Sequence, residues 1–143
     1  MQSFVYHAQL EPGDEGGIVV TFPDVPEAVT QGDDEVDARA MAEDALALAL
    51  LSYPQRGLPL PEPKHRGGDL FPIYVRPEDA AKLALLDAWR QLGITKSELA
   101  RRIGKDEKEV RRMLDPMHAT KLPTLEAALR SLGRRLVIGV EAA

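Results

Sequence analysis

Basic side chains are concentrated in the stretch 95–114, TKSELARRIGKDEKEVRRML. Lysine and arginine bind phosphate oxygens and donate hydrogen bonds to guanine edges, and glutamate can accept one from cytosine. These residue types together are typical of nucleic-acid recognition. The side chains that we expect to reach base edges are Glu107, Lys108, Arg111 and Arg112. The side chains that we expect to contact phosphates are Lys96, Arg101, Arg102 and Lys105.

The same stretch carries the signals of two short helices joined by a tight turn. Thr95 can cap the first helix, with Glu98 three residues later in a capping-box pattern. Gly104 stands where the chain must leave that helix with a positive φ, and Asp106 can cap the second helix. The positions that would face inward are Leu99, Ala100, Ile103, Val110 and either Met113 or Leu114. This spacing predicts a helix-turn-helix, with an ordinary helical hairpin as the alternative.

Charge is divided unevenly along the 143 residues, although the net charge is only −5. Residues 1–76 contain five Lys or Arg against 13 Asp or Glu, which gives −8. Residues 77–143 contain 13 against 10, which gives +3. We therefore predict two domains, 1–76 and 77–143, that have different partners.

The chain lacks the residues that several classes of function require. The chain has no cysteine, which excludes disulfides, thiolate metal sites and cysteine catalysis. His7, His65 and His118 have no metal-ligand spacing, and Glu43 and Asp44 face different sides of one predicted helix. We expect no metal, no cofactor and no enzyme activity. No apolar run reaches 18 residues and no basic-then-apolar leader is present, which predicts a cytoplasmic protein without a membrane anchor.

The first domain has the pattern of a small sheet with one helix. We predict three strands, a helix and a fourth strand, at 3–10, 17–23, 28–32, 34–53 and 69–77. The helix is so rich in Ala and Leu that a sheet or a partner must cover much of it. The loop 54–68 is rich in proline and glycine, and Pro72 indicates that the last strand lies at a sheet edge or carries a bulge. The arrangement is βββαβ, of the α+β class.

The second domain has the pattern of helices. We predict helices at 77–93 and at 124–133, the latter capped by Thr124, and a closing strand at 134–142. One strand after four helices has no partner in its own domain, so we expect it to pair with its copy in a homodimer, with pairing to the sheet of the first domain as the alternative. Two such dimers can associate further. The residues that we expect at the dimer contact are Leu136, Val137, Ile138 and Val140.

Several motifs occur in an order that resembles one protein family. Phe22-Pro23-Asp24 ends the second predicted strand, Thr30-Gln31-Gly32-Asp33 leads into the long helix, and Leu58-Pro59-Leu60-Pro61 lies in the loop after it. The tail 110–138, VRRMLDPMHATKLPTLEAALRSLGRRLVI, adds to the likeness. Over nearly the whole chain, these motifs resemble HicB-type antitoxins of type II toxin–antitoxin systems that carry a C-terminal helix-turn-helix domain.

The resemblance implies a fold and a set of partners. The first domain would be a partial ribonuclease-H-like fold that covers the active site of HicA, a small basic ribonuclease toxin. The second domain would dimerise, bind operator DNA and repress its own operon. The acidic residues that we expect to attract the toxin are Glu11, Asp14, Glu15, Asp24 and Glu27. Two alternatives stay open: a transcription regulator whose first domain senses a small ligand, and an orphan antitoxin that only binds DNA.

Overall fold

The computed structural model describes all residues from Met1 to Ala143, which divide into two compact units, Met1–Arg76 and Pro77–Ala143. The first unit contains four strands and one helix, and the second contains four helices, so the chain is an α+β protein. In chain order the elements are β1 (Val5–Pro12), β2 (Ile18–Thr21), β3 (Val29–Gly32), α1 (Glu35–Gln55), β4 (Phe71–Tyr74), α2 (Pro77–Leu92), α3 (Lys96–Ile103), α4 (Glu107–Leu114) and α5 (Leu122–Ser131).

The four strands form one antiparallel sheet in the order β3-β2-β1-β4. The first half of β1 pairs with β4, and the second half forms a hairpin with β2 in which Pro12 lies opposite Ile18. β4 is therefore an edge strand. The edge position predicted from Pro72 is confirmed, and its physical reason is that proline has no N–H to give to a further strand.

α1 covers one face of the sheet, against β2, β3 and β4. The Asp34 side chain caps the helix by accepting a hydrogen bond from the Asp37 amide at 2.8 Å. A Cβ atom at Gly32 would lie 2.3 Å from the amide nitrogen of Ala38, so only glycine fits where β3 passes the first turn of α1. The core of this unit contains the fully buried side chains Tyr6, Val20, Leu46 and Leu50.

α1 is longer than predicted at its C-terminal end. It continues through Pro54 to Gln55, whereas the sequence indicated an end at residue 53. Proline has no backbone N–H, so a proline in the last turn of a helix costs that helix only one hydrogen bond. The amides that follow still bond back to the helix, since the Arg56 N–H donates to the carbonyls of Ser52 and Tyr53.

The second unit is built from four helices around one apolar core. α2 packs against α4 and α5, and α3 packs against the same two helices. Fully buried leucines and valines fill the centre: Leu83, Leu85, Leu99, Val110 and Leu125.

One prediction for the second unit is wrong, and another is not met within the single chain. α5 begins at Leu122 with Lys121 as N-cap, not with a Thr124 cap, and Pro123 lies in its first turn, where a missing N–H leaves no hydrogen bond unmade. The predicted strand at 134–142 is absent from the chain. A strand needs a neighbouring strand for its hydrogen bonds, and the helical unit contains none.

Candidate functional site

The ends of α3 and α4 are stabilised by the caps and the turn glycine that the sequence predicts. The Thr95 hydroxyl accepts a hydrogen bond from the Glu98 amide at 3.1 Å, and the Asp106 carboxylate accepts one from the Glu109 amide at 2.8 Å. Gly104 ends α3 in the left-handed conformation, with φ of 69°. The predicted caps and the turn glycine are thereby confirmed. The side chains that these helices bury are Leu99, Ala100, Val110, Met113 and Leu114.

The predicted DNA-contacting side chains all lie in solvent on this helical pair. Base contacts were predicted for Glu107, Lys108, Arg111 and Arg112, and phosphate contacts for Lys96, Arg101, Arg102 and Lys105, and every one of these residues is exposed. Residues 95–114 contain seven Lys or Arg against four Asp or Glu, so this helical pair accounts for the net +3 of the second unit.

Several of these cations are paired within the chain. Arg101 and Arg102 both donate to the Glu98 carboxylate, whose pKa is lowered by the hydrogen bond from Arg102 and by Arg101. Arg111 lies 3.7 Å from Glu107, and the Lys105 ammonium lies 3.8 Å from Glu109. Exposed pairs of this kind contribute little stability, so a phosphate or a base edge can replace the glutamate at small cost.

One important residue was missed by the sequence reasoning. Lys82 in α2 is only 4% exposed, and its ammonium group donates to the Met113 carbonyl at 2.8 Å and to the Thr120 hydroxyl at 2.7 Å. Burial lowers the pKa of this lysine to about 8, and the negative charge of Asp115 opposes the shift. The available signal was position, because Lys82 falls on the inward stripe of α2 four residues before buried Leu86.

The acidic residues of the first unit fall into two groups. Glu11, Asp14 and Glu15 are exposed at the β1–β2 turn, where Glu11 accepts a hydrogen bond from the Gln9 side-chain Nε2 at 2.6 Å. Asp24 and Glu27 follow β2 and therefore lie beyond the opposite end of the hairpin. The five predicted toxin-contacting residues do not form one cluster.

Asp24 has an internal role. Its side chain is 5% exposed and accepts hydrogen bonds from the His65 amide at 2.9 Å and from the His65 imidazole at 2.6 Å. Burial alone would raise the pKa of Asp24, but the hydrogen bonds from His65 outweigh it and hold that pKa below 3.8. Asp24 therefore fastens the loop after α1 to the turn after β2.

Glu27 is also engaged within the unit. It lies 3.3 Å from the Arg56 guanidinium and contacts the Tyr53 hydroxyl. Burial, together with this contact to Glu27, raises the pKa of Tyr53 to about 12. Of the five acidic candidates, only the hairpin residues present carboxylates without an ion pair to a basic side chain.

The C-terminal segment exposes a run of apolar side chains. Val137, Ile138 and Val140 are 61%, 57% and 98% exposed, and Leu136 is half-buried. No group of three His, Cys, Asp or Glu side chains in the chain is arranged to hold a metal ion. None of the helices combines the length and the apolar character needed to cross a bilayer.

The chain combines an acidic sheet-and-helix unit with a helical unit that exposes cations. A family model described as the HicB-like antitoxin of bacterial toxin–antitoxin systems matches residues 5–83. The chain belongs to this family of HicB-like antitoxins.

Curated relatives extend the similarity across both units. The chain is 42% identical over 133 residues to Antitoxin HicB of Escherichia coli, which covers 92% of this chain and 95% of that protein. It is 38% identical over 138 residues to Antitoxin HicB 1 of Photorhabdus laumondii, covering 95% and 86% of the two chains. It is 33% identical over 144 residues to Antitoxin HicB of Pseudomonas fluorescens, covering 99% and 98%. These relatives indicate a non-enzymatic regulatory protein.

Proposed function

We propose that this chain neutralises a small HicA-type ribonuclease through residues 1–76 and binds operator DNA through residues 77–143, thereby repressing its own operon. Membership of the HicB-like antitoxin family supports the toxin partner. The four-stranded antiparallel sheet with one covering helix is compatible with the partial ribonuclease-H-like fold expected for the first unit.

The observation that carries the DNA half of the proposal is the capped helical pair α3–α4. Its inward side chains are buried and its cations are exposed, which supports a helix-turn-helix with α4 as recognition helix. In that orientation Arg111 and Arg112 read base edges in the major groove, while Arg101 and Arg102 bind phosphates.

Electrostatics supports the toxin half. A ribonuclease must attract phosphate, so its RNA-binding surface is positively charged, and a unit of net charge −8 is attracted to it. We propose that Glu11, Asp14 and Glu15 at the hairpin turn make the first contacts. Asp24 and Glu27 stabilise the neighbouring loops on which a docked toxin would rest.

We further propose that residues 134–142 become a strand when two copies associate. Leu136, Val137, Ile138 and Val140 would then be covered by the partner's segment, which removes exposed apolar surface and supplies the missing hydrogen bonds. A two-fold dimer also presents two α4 helices to the two halves of a palindromic operator.

The proposal is tested by expressing this chain with a HicA-type toxin. We expect that protein alone to stop growth, and co-expression of this chain to restore growth. The same purified chain should retard a duplex that carries its own promoter more strongly than a scrambled duplex. Growth arrest that persists despite accumulation of the folded chain would refute the toxin half, and equal retardation of both duplexes would refute the DNA half.

A further inference from the structure

The chain has six lysines, and Lys82 in α2 is the only one that is buried. Its ammonium group has four oxygen acceptors. They are the carbonyls of Arg112, Met113 and Asp115, at 3.2, 2.8 and 3.0 Å, and the Thr120 hydroxyl, at 2.7 Å. All of these belong to the last turn of α4 or to the loop between α4 and α5.

These acceptors explain why a charge is tolerated in the interior. The last carbonyls of a helix have no partner inside the helix and form the negative end of its dipole, so a cation there is favourable. A buried ammonium group is otherwise very unfavourable and must be hydrogen-bonded. The four hydrogen bonds of Lys82 therefore connect the end of α4 and the loop after it to α2.

We propose that Lys82 is a positioning residue for operator recognition: it fixes the C-terminal turn of α4, which carries Arg111 and Arg112, without touching DNA itself. This inference rests on the proposed DNA binding by α4. Because its ammonium group is enclosed by carbonyls and a hydroxyl, Lys82 is not one of the cations that contact phosphates.

The expected consequence is a selective loss. Without the ammonium group the carbonyls at the end of α4 have no donor, and that turn can move. Base contacts require accurate placement of Arg111 and Arg112, whereas phosphate contacts from Arg101 and Arg102 depend on α3, which is held by buried Leu99. Specific binding should therefore weaken more than non-specific binding.

The test compares Lys82→Met with the wild-type full-length chain. Dissociation constants are measured for the operator duplex and for a scrambled duplex of equal length, at several salt concentrations. We expect operator affinity to fall about tenfold or more, affinity for the scrambled duplex to stay within about twofold, and its salt dependence to be unchanged. Circular dichroism establishes that each variant is folded at the temperature of the measurement.

The matched control is Lys121→Met, which removes the same charge from an exposed lysine at the other end of the same loop. It should keep the wild-type ratio of the two affinities. If Lys82→Met does not fold, Lys82→Gln, which keeps two donor hydrogens, takes its place and should lower the ratio less.

The outcomes separate the two proposals. A folded Lys82 variant with the wild-type affinity ratio, or with equal losses on both duplexes, overturns the positioning role. Failure of both Lys82 variants to fold also overturns it, since the residue would then serve folding alone. A wild-type chain that does not distinguish the two duplexes refutes the proposed operator binding, and the Lys82 inference falls with it.

Discussion

Asp24 and Asp14 illustrate how burial divides side chains of one type between different roles. Asp24 is enclosed and holds His65 through both of its carboxylate oxygens, whereas Asp14 is exposed in the hairpin turn. The same division separates buried Lys82 from exposed Lys108. A residue's type gives its chemistry, and its position in the fold decides whether that chemistry is directed inward or toward a partner.

Replacing Asp24 with asparagine should destabilise the first unit by about 1–2 kcal/mol at pH 7, because hydrogen bonds to a charged acceptor are lost. The pKa of Asp24 is lowered by folding, so its stabilisation is fully present above pH 3.8 and is lost as the pH falls through the folded-state pKa. The difference between wild type and variant should therefore shrink as the pH is lowered below 3.8.

Urea unfolding followed by tyrosine fluorescence measures this effect, because the three tyrosines all lie in residues 1–76. Asp14→Asn is the matched control and should change the free energy of unfolding by less than about 0.5 kcal/mol. An Asp24 variant as stable as wild type at pH 7 would show that the His65 contact contributes nothing.

Replacing Arg111 and Arg112 with alanine should weaken operator binding by about 1–3 kcal/mol for each base contact that is lost. Dissociation constants from fluorescence anisotropy on the promoter duplex give the measurement. Lys64→Ala with Arg66→Ala removes two exposed cations from the first unit and is the control. Unchanged operator affinity in the Arg111/Arg112 variant would exclude the proposed orientation of α4.

At the scale of elements, prediction succeeded where the signal is local and failed where it depends on distant parts of the fold. The caps at Thr95 and Asp106 and the turn at Gly104 follow from neighbouring residues, and they are present as predicted. The start of α5 was misplaced because Pro123 fits either the end of a loop or the first turn of a helix. Lys82 could be placed on the inner face of α2 from the sequence, but its acceptors lie about 30 residues away in the chain.

The missing C-terminal strand also depends on distant structure, because it would need a hydrogen-bonding partner that its own unit lacks. If the proposed dimer forms, replacing Ile138 and Val140 with aspartate should convert it to a monomer, since these charges would be buried without partners in the contact. Light scattering coupled to size-exclusion chromatography gives the mass. Val36→Asp, at an exposed valine of α1, is the control and should leave the dimer intact. A wild-type monomer, or a variant that stays dimeric, would contradict the proposed contact.

At the scale of the whole molecule, the division of charge matches the two proposed tasks. The unit of net charge −8 suits a basic protein partner, and the unit of +3 suits DNA.

Replacing Glu11, Asp14 and Glu15 with their amides should slow association with the toxin about tenfold at low salt, and the difference should shrink as salt screens the charges. Stopped-flow fluorescence at several ionic strengths measures the rate.

A second triple variant tests whether the location of the charge matters. Amide replacements at Asp44, Glu62 and Asp69 change the net charge equally at exposed positions outside the hairpin turn. They should slow association less. Equal rates for the wild type and the hairpin variant at every ionic strength would rule out electrostatic attraction at the hairpin.

The central claim is that this chain neutralises a ribonuclease. Its most direct test is RNA cleavage by the proposed partner, a purified HicA-type toxin, measured with increasing amounts of this chain. We predict that cleavage falls to background once the chain is in molar excess. Cleavage that continues at the same rate in the presence of excess folded chain would contradict the account.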